Sequence, residues 1–304
     1  MTQSQTSQTS QTSQTSQSSP EIGKYVMAGG VKTNYLEAGS GEPVILIHGS
    51  GPGVSAYANW RLAMPYLAEK LHVFAYDQMG FGYTEPPSDN QYSLQRWTNQ
   101  LVDFMNAVGV KRACMVGNSM GASVAIAAAV EHPDMVSRLV LMGPMGVRFP
   151  ISYGLREVWD YQPSVENMMH LLHLFIYNQS FITNELAELR YKASIRQGMQ
   201  EAFSSLFPHP RQKGVDELAA YQGRLGEVQA PTMLIHGLED LVIPVQTSQI
   251  LLTTLPNAQM HIFAHCGHWS QIEWSQPFNW LVRGFFTGEA GSGPVQEQGQ
   301  RQGK

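Results

Sequence analysis

CMVGNSMGASVAIAAAV, residues 114–130, starts as a short apolar strand, turns sharply between two glycines and continues as a helix of small residues. Within it Gly117-Asn118-Ser119-Met120-Gly121 fits G-x-S-x-G. Glycine and serine are common, so the pentapeptide alone says little. Its position says more: a strand ending at Val116, then the turn, then a helix over 122–130. A serine nucleophile is presented by such a strand–turn–helix. Gly117 and Gly121 relieve side-chain clashes in the tight turn. The Ser119 hydroxyl is left exposed at a helix start, where the Met120 N–H can point at a developing oxyanion.

The same alternation extends outward. Strands are expected at 24–28 and 31–37 around Gly29-Gly30, then at 44–48 (VILIH), 73–76, 138–142, 233–236 and 260–263. Short apolar runs of this kind suit strands buried on both faces. Between them, 94–108 places Trp97, Leu101, Phe104, Met105 and Val108 on one helical face, and 274–286 reads as a final amphipathic helix. Strands separated by helices imply an α/β fold with a mostly parallel central sheet and helices on both faces. Residues 21–147 and 226–287 would form this core. The segment 148–225 has no strand pattern and is rich in Met, His, Leu and aromatics. It is expected to be an inserted helical lid over the carboxyl ends of the strands, where open α/β sheets bind ligands.

Both ends read as disordered tails. Residues 4–19 run SQTSQTSQTSQTSQSS, without one apolar side chain to offset ordering entropy by burial. Lacking a basic start and an apolar stretch, the tail over 1–20 is not a signal peptide. The Gly- and Gln-rich end, 288–304, reads the same way. Hydrophobic residues make up 43% of the 304, enough for a large core. A net charge of −5 argues against binding phosphate backbones. No stretch approaches the ~18–20 apolar residues that span a bilayer. Cys114 and Cys266 cannot form a disulfide framework in a chain this long. A cytoplasmic enzyme, with neither nucleic acid nor membrane as partner, is the expectation.

A serine nucleophile needs a base, and the base needs an orienting carboxylate. In this topology the order is Ser, then Asp or Glu, then His. The strand at 233–236 is followed by Gly237-Leu238-Glu239-Asp240, which offers two acids. Asp240 is preferred because it lies deeper in the turn before Val242-Ile243-Pro244, and Glu239 stays open. The last strand is followed by Ala264-His265-Cys266-Gly267-His268-Trp269; His268, past the glycine, is the candidate base. His265 lies closer to the strand end and reads as structural, and Cys266 as a packing residue. The loop His48-Gly49-Ser50-Gly51-Pro52-Gly53 can supply a second oxyanion donor, the Ser50 N–H. It has no G-x-x-x-x-G-K-[ST] to cradle a phosphate. His170 and His173 have metal-ligand spacing but no third ligand nearby, so neither metal nor cofactor is expected.

Together these residues resemble the α/β-hydrolase superfamily, and within it the meta-cleavage product hydrolases, most of all 2-hydroxymuconate semialdehyde hydrolases. The resemblance covers about Pro20 to Phe286. It rests on HGSGPGVSAYANWR (48–61), GNSMG (117–121), ELAELRYKASIRQGMQEAFSSLFP (185–208), HGLEDLVIP (236–244) and CGHWSQIE (266–273). It implies a serine hydrolase that cleaves a carbon–carbon bond in 2-hydroxy-6-oxohexa-2,4-dienoates. These arise by ring-opening of catechols in aromatic catabolism. Carried over by motif, Ser119, Asp240 and His268 form the triad, and the Ser50 and Met120 N–H groups the oxyanion hole. Arg190 takes the substrate carboxylate, and Asn59, Asn118 and Trp269 hold the dienol end. Met168, Met169, Leu172 and Phe175 would wall the pocket for the C6 substituent. Family members are often homo-oligomers, dimers or larger. The sequence departs from the pattern at Ala122, at Asp77-Gln78-Met79-Gly80 and at Asn178-Gln179. The other readings are a carboxylesterase-type serine hydrolase and a hydrolase-fold ligand receptor.

Overall fold

The eight expected strands join in one sheet in the computed structural model, which describes residues 19–289. They are β1 (Lys24–Ala28), β2 (Val31–Ala38), β3 (Glu42–Ile47), β4 (Leu71–Tyr76), β5 (Ala113–Asn118), β6 (Val136–Met142), β7 (Thr232–Gly237) and β8 (Ala258–Phe263). Their order across the sheet is β1-β2-β4-β3-β5-β6-β7-β8. β1, β2 and β4 pair antiparallel, and every pair from β4 onward is parallel. Apart from Ser19, Pro20, Gly288 and Glu289, the two expected tails lie outside the described residues.

Side chains alternate between the two faces of each strand. Ile45 and Ile47 of β3 pack into one core with the helices Leu94–Ala107 and Met120–Glu131. Val44 and Leu46 enter a second core with Trp60, Phe278, Val282 and Phe286. The sheet is therefore covered on both faces, which is why its central strands read as unbroken apolar runs. Met120–Glu131 is buried from Met120 to Val130. Its alanines let it lie close against both β5 and the helix Leu94–Ala107.

From the end of β6 to β7 the described chain contains helices and no strand. Three of the helices are capped by the hydroxyl just before them. Ser152, Ser164 and Thr183 accept from the N–H groups of Leu155, Asn167 and Leu186. Among the described residues no helix is long and apolar enough to cross a membrane.

Candidate active site

Ser119 is the single residue between β5 and the helix that starts at Met120. The helix was expected from 122, so the turn is tighter than the sequence suggested. Ser119 has φ 54° and ψ −117°, a conformation that side chains other than glycine rarely adopt. Backbone bonds hold it there: Ser119 N–H donates to Met142 O at 2.9 Å, and Met145 N–H donates to Ser119 O at 3.2 Å. The flanking glycines are required for space. A Cβ on Gly121 would lie 2.4 Å from Ile47 O, and one on Gly117 would lie 2.6 Å from Gly121 O.

The acid and base expected after β7 and β8 meet beside this turn. His268 Nδ1 donates to Asp240 Oδ2 at 2.6 Å. The other oxygen of Asp240 accepts from Val242 and Ile243 N–H at 2.8 and 2.9 Å. His236 Nε2 lies 3.2 Å from Asp240 Oδ2 and 3.0 Å from Ile243 O. Facing two acceptors, that nitrogen carries the proton, so His236 Nδ1 accepts from Ser248 Oγ. Burial alone would raise the Asp240 carboxyl. The neighbouring His268 and His236 outweigh it and hold the group below the ordinary carboxylate range. Glu239 points elsewhere, its Oε2 accepting from Cys266 N–H at 3.0 Å. Burial pushes the Cys266 thiol up, which keeps it protonated and unreactive.

Ser119 and His268 open onto a cavity of about 110 Å³. Ser50 lines it too, and among the described residues no acceptor pairs its backbone N–H. Its hydroxyl accepts from Trp159 Nε1 at 3.1 Å. Met120 N–H is the first of its helix, with no carbonyl one turn back in that helix. The loop carrying Ser50 is fixed from below by His48. Gln78 N–H donates to His48 Nε2 at 3.0 Å, and Gln78 Nε2 donates to His48 O at 2.7 Å. Asp77, in the same departure from the family pattern, accepts from the N–H groups of Ala56 and Tyr83.

Part of the cavity lining is polar. Arg190, Asn59, Asn118 and Trp269, the residues the motifs marked, all line the cavity. Arg190 donates through Nη2 to Pro52 O at 3.3 Å, while its buried Nε has no partner among the described residues. Burial pushes its pKa down to about 10, Glu21 working against the shift and Arg61 with it. At neutral pH it is therefore a cation, with few protein groups to neutralise it. The Trp269 ring lies 5.9 Å from its guanidinium and stacks on Phe175 at 4.6 Å. Asn118 Nδ2 donates to Met142 O at 3.3 Å, and buried Asn59 Nδ2 is unpartnered.

Of the expected wall residues, only Phe175 lines the cavity; Met168 and Leu172 are buried in the core instead, and Met169 packs half-buried against it. Other apolar lining comes from Ile176, Phe181, Leu186, Val54, Ala58 and Ile272. The sequence reading also missed Arg61 and Gln271. Gln271 lies three residues past His268 on the same segment, the one signal that could have marked it. The helical segment is tied to the His268 loop: His268 N–H donates to Phe175 O at 2.8 Å. Glu273 accepts from both Gly267 and Asn178 N–H. His173 bonds to Gln179 rather than to His170, and no metal-ligand cluster exists among the described residues.

A buried Asp–His pair opens onto the same cavity as a serine on a strained turn, and in serine hydrolases an imidazole so oriented serves as the base while free N–H groups hold the oxyanion. Comparison with known proteins agrees with that chemistry. Residues 42–274 match the family model of the α/β-hydrolase fold. A 2-hydroxymuconate semialdehyde hydrolase from Pseudomonas sp. strain CF600 is 48% identical over 91% of this chain and 98% of its own. A 2-hydroxy-6-oxo-2,4-heptadienoate hydrolase from Pseudomonas putida strain F1 is 46% identical over 88% and 98%. Among solved structures, a meta-cleavage product hydrolase from Pseudomonas fluorescens IP01 superposes with a TM-score of 0.87. It is a serine-to-alanine variant complexed with acetates, 49% identical, and the match covers 88% of this chain and 98% of that one.

Proposed function

Because the chain belongs to the α/β-hydrolase family, and within it to the meta-cleavage product hydrolases, we propose that it hydrolyses the C5–C6 bond of 2-hydroxy-6-oxohexa-2,4-dienoates. Substrates with hydrogen or a small alkyl group at C6 fit best. The products are 2-hydroxypenta-2,4-dienoate and a short carboxylic acid. One observation carries this reading beyond a general serine hydrolase. A buried, largely unpaired Arg190 lines the same cavity as Ser119. An uncompensated buried cation is costly, and a pocket for neutral esters has no use for one.

The chemistry follows from the placement. The substrate carboxylate lies against Arg190, which sets C6 beside Ser119. The enol loses its O–H proton and C5 gains one, giving the 2,6-dioxo form. Ser119 Oγ attacks C6 as His268 takes its proton. The C6 oxyanion lies between the Ser50 and Met120 N–H groups. On collapse the C5–C6 pair flows through C4 and C3 to the C2 oxygen, which His268 reprotonates. Water, deprotonated by His268, then frees the acyl group from Ser119. The helices of 148–225 act as a lid that excludes bulk water during these steps. No metal enters the scheme.

The test offers the purified chain coloured dienoates and follows loss of visible absorbance together with acid released. Turnover far above stoichiometric is expected, abolished in Ser119→Ala while binding survives. In subtilisin, the equivalent loss lowers kcat by about a million-fold. Rapid hydrolysis of neutral esters with no attack on dienoates would favour the esterase reading. Stoichiometric binding without turnover would favour the receptor.

A further inference from the structure

We infer that Gln271 is a substrate-binding residue that accepts the hydrogen bond of the 2-hydroxyl group, an inference resting on the function proposed above. Gln271 lines the cavity and is only 1% exposed. Its amide orientation is fixed by its neighbour. Gln271 Nε2 donates to the backbone carbonyl of Asn59 at 3.4 Å. A carbonyl can only accept, so the NH₂ side must face Asn59 and Oε1 must face away. Oε1 is buried and has no donor among the described residues. A buried acceptor in this state is unstable unless something supplies a hydrogen.

The unpaired groups around the cavity divide by chemistry. Arg190 Nε and Asn59 Nδ2 are unpartnered donors, suited to the two oxygens of a carboxylate. Gln271 Oε1 is an unpartnered acceptor and cannot serve a carboxylate. The dienoate has one hydrogen-bond donor, the enol O–H on C2, next to the carboxylate carbon. A carboxylate placed on Arg190 and Asn59 brings that hydroxyl to the same end of the cavity. An amide oxygen is too weak a base to take the proton. It orients the O–H and favours the 2-hydroxy form over analogues that lack it, as sites built to bond a hydroxyl do.

The test is a binding cycle in the Ser119→Ala background, where substrate persists. Affinities are measured for 2-hydroxy-6-oxohepta-2,4-dienoate and for 6-oxohepta-2,4-dienoate, which lacks the hydroxyl. In Ser119→Ala the hydroxyl should strengthen binding by about tenfold to a hundredfold. With Gln271→Met added, volume is kept and the acceptor lost, and the preference should fall below about threefold. Gln271→Glu keeps an acceptor and loses the donor to Asn59, so it should retain the preference. A role confined to holding Asn59 predicts the reverse, with Glu failing as Met does, and overturns the inference. An equal hydroxyl preference in Ser119→Ala and in the Met variant overturns it too. If Ser119→Ala binds neither dienoate, the proposed function itself falls, and this inference with it. If it binds both equally, the function reading stands and the inference alone is lost.

Discussion

His268 Nδ1 and Asp240 Oδ2 lie 2.6 Å apart, and neither side chain is more than 3% exposed. The carboxylate has one oxygen held by two backbone N–H groups and the other facing two imidazoles. It cannot rotate without losing several bonds at once. Asp240→Asn keeps the shape but offers an NH₂ group where an acceptor is needed, forcing His268 into the wrong tautomer. A loss of about ten-thousand-fold in kcat is expected, the size recorded for the same change in a serine protease. Glu239→Gln should cost less than about tenfold, since Glu239 contacts Cys266 N–H and not the imidazole. Steady-state rates of the two variants decide which acid serves; a damaged Glu239→Gln beside an active Asp240→Asn would reverse the assignment.

Much of this site was legible because chemistry and topology coincide. Ser119, Asp240 and His268 each follow a strand of the parallel part of the sheet, so topology places them at the same edge, where Asp240 and His268 pair and Ser119 and His268 line one cavity. The central strands β3 and β5 were legible because burial on both faces leaves an apolar run, whereas β1 and β2, exposed and polar in places, were marked by the Gly29-Gly30 turn between them. The lid was harder. A helical period shows that Met168, Leu172 and Phe175 share an apolar side, but not which of them meets the core and which meets the cavity. Met168 and Leu172 pack inward, and Phe175 stacks on Trp269 at the cavity wall. Gln271 lies within CGHWSQIE, but nothing in that stretch marks its side chain as one that meets the cavity. Its role depends on the Asn59 carbonyl, 212 residues away in sequence, turning its amide.

His48 makes the fold sensitive to acid. Burial pushes its pKa down to about 4, with Gly49 opposing the shift and Arg190 adding to it. Its Nε2 accepts from Gln78 N–H, so protonation would set two donors against each other. A depressed value means the unfolded chain takes up this proton first. The stabilisation is thus complete above about pH 6.5 and is lost as pH falls towards 4, amounting to about 3 kcal/mol at ~1.4 kcal/mol per unit. His48→Gln should be less stable than wild type at pH 7, with a gap in Tm that narrows from pH 6.5 to pH 4. A constant gap across that range would assign the acid sensitivity to another group.

In the proposed reaction the apolar lining of the cavity sets the C6 preference. Phe175, Ile176, Phe181 and Leu186 belong to it, and Phe175 stacks near His268 with centroids 5.9 Å apart. One methylene in an apolar pocket changes selectivity by only ~1–3 kcal/mol. Activity should therefore be graded across hydrogen, methyl and isopropyl at C6, with phenyl poor. Phe175→Ala should raise the phenyl-to-methyl ratio of kcat/KM by about tenfold or more. Phenyl as the best wild-type substrate would contradict this wall.

Arg190 separates a dienoate hydrolase from an ester hydrolase of the same fold. Guanidinium meets carboxylate through two parallel N–H···O bonds, which lysine cannot reproduce. The contact lies at the opposite end of the substrate from C6, so its binding energy can position the reacting carbon against Ser119. Removing one partner of a buried charged pair costs ~2–5 kcal/mol, or about 30-fold to several thousand-fold at ~1.4 kcal/mol per decade. Arg190→Ala should lower kcat/KM for dienoates within that range, and Arg190→Lys should recover part of it. Hydrolysis of a small neutral ester should barely change, because it presents no carboxylate. Arg196 is the control. It donates to Gly82 O at 3.0 Å and lies over the Tyr83 ring at 3.8 Å, outside the cavity lining. Arg196→Ala should therefore act on stability more than on substrate affinity. Intact dienoate turnover in Arg190→Ala with loss in Arg196→Ala would move the carboxylate to the other arginine. Intact turnover in both would remove the carboxylate from this end of the cavity, and with it the reason for setting dienoates above esters.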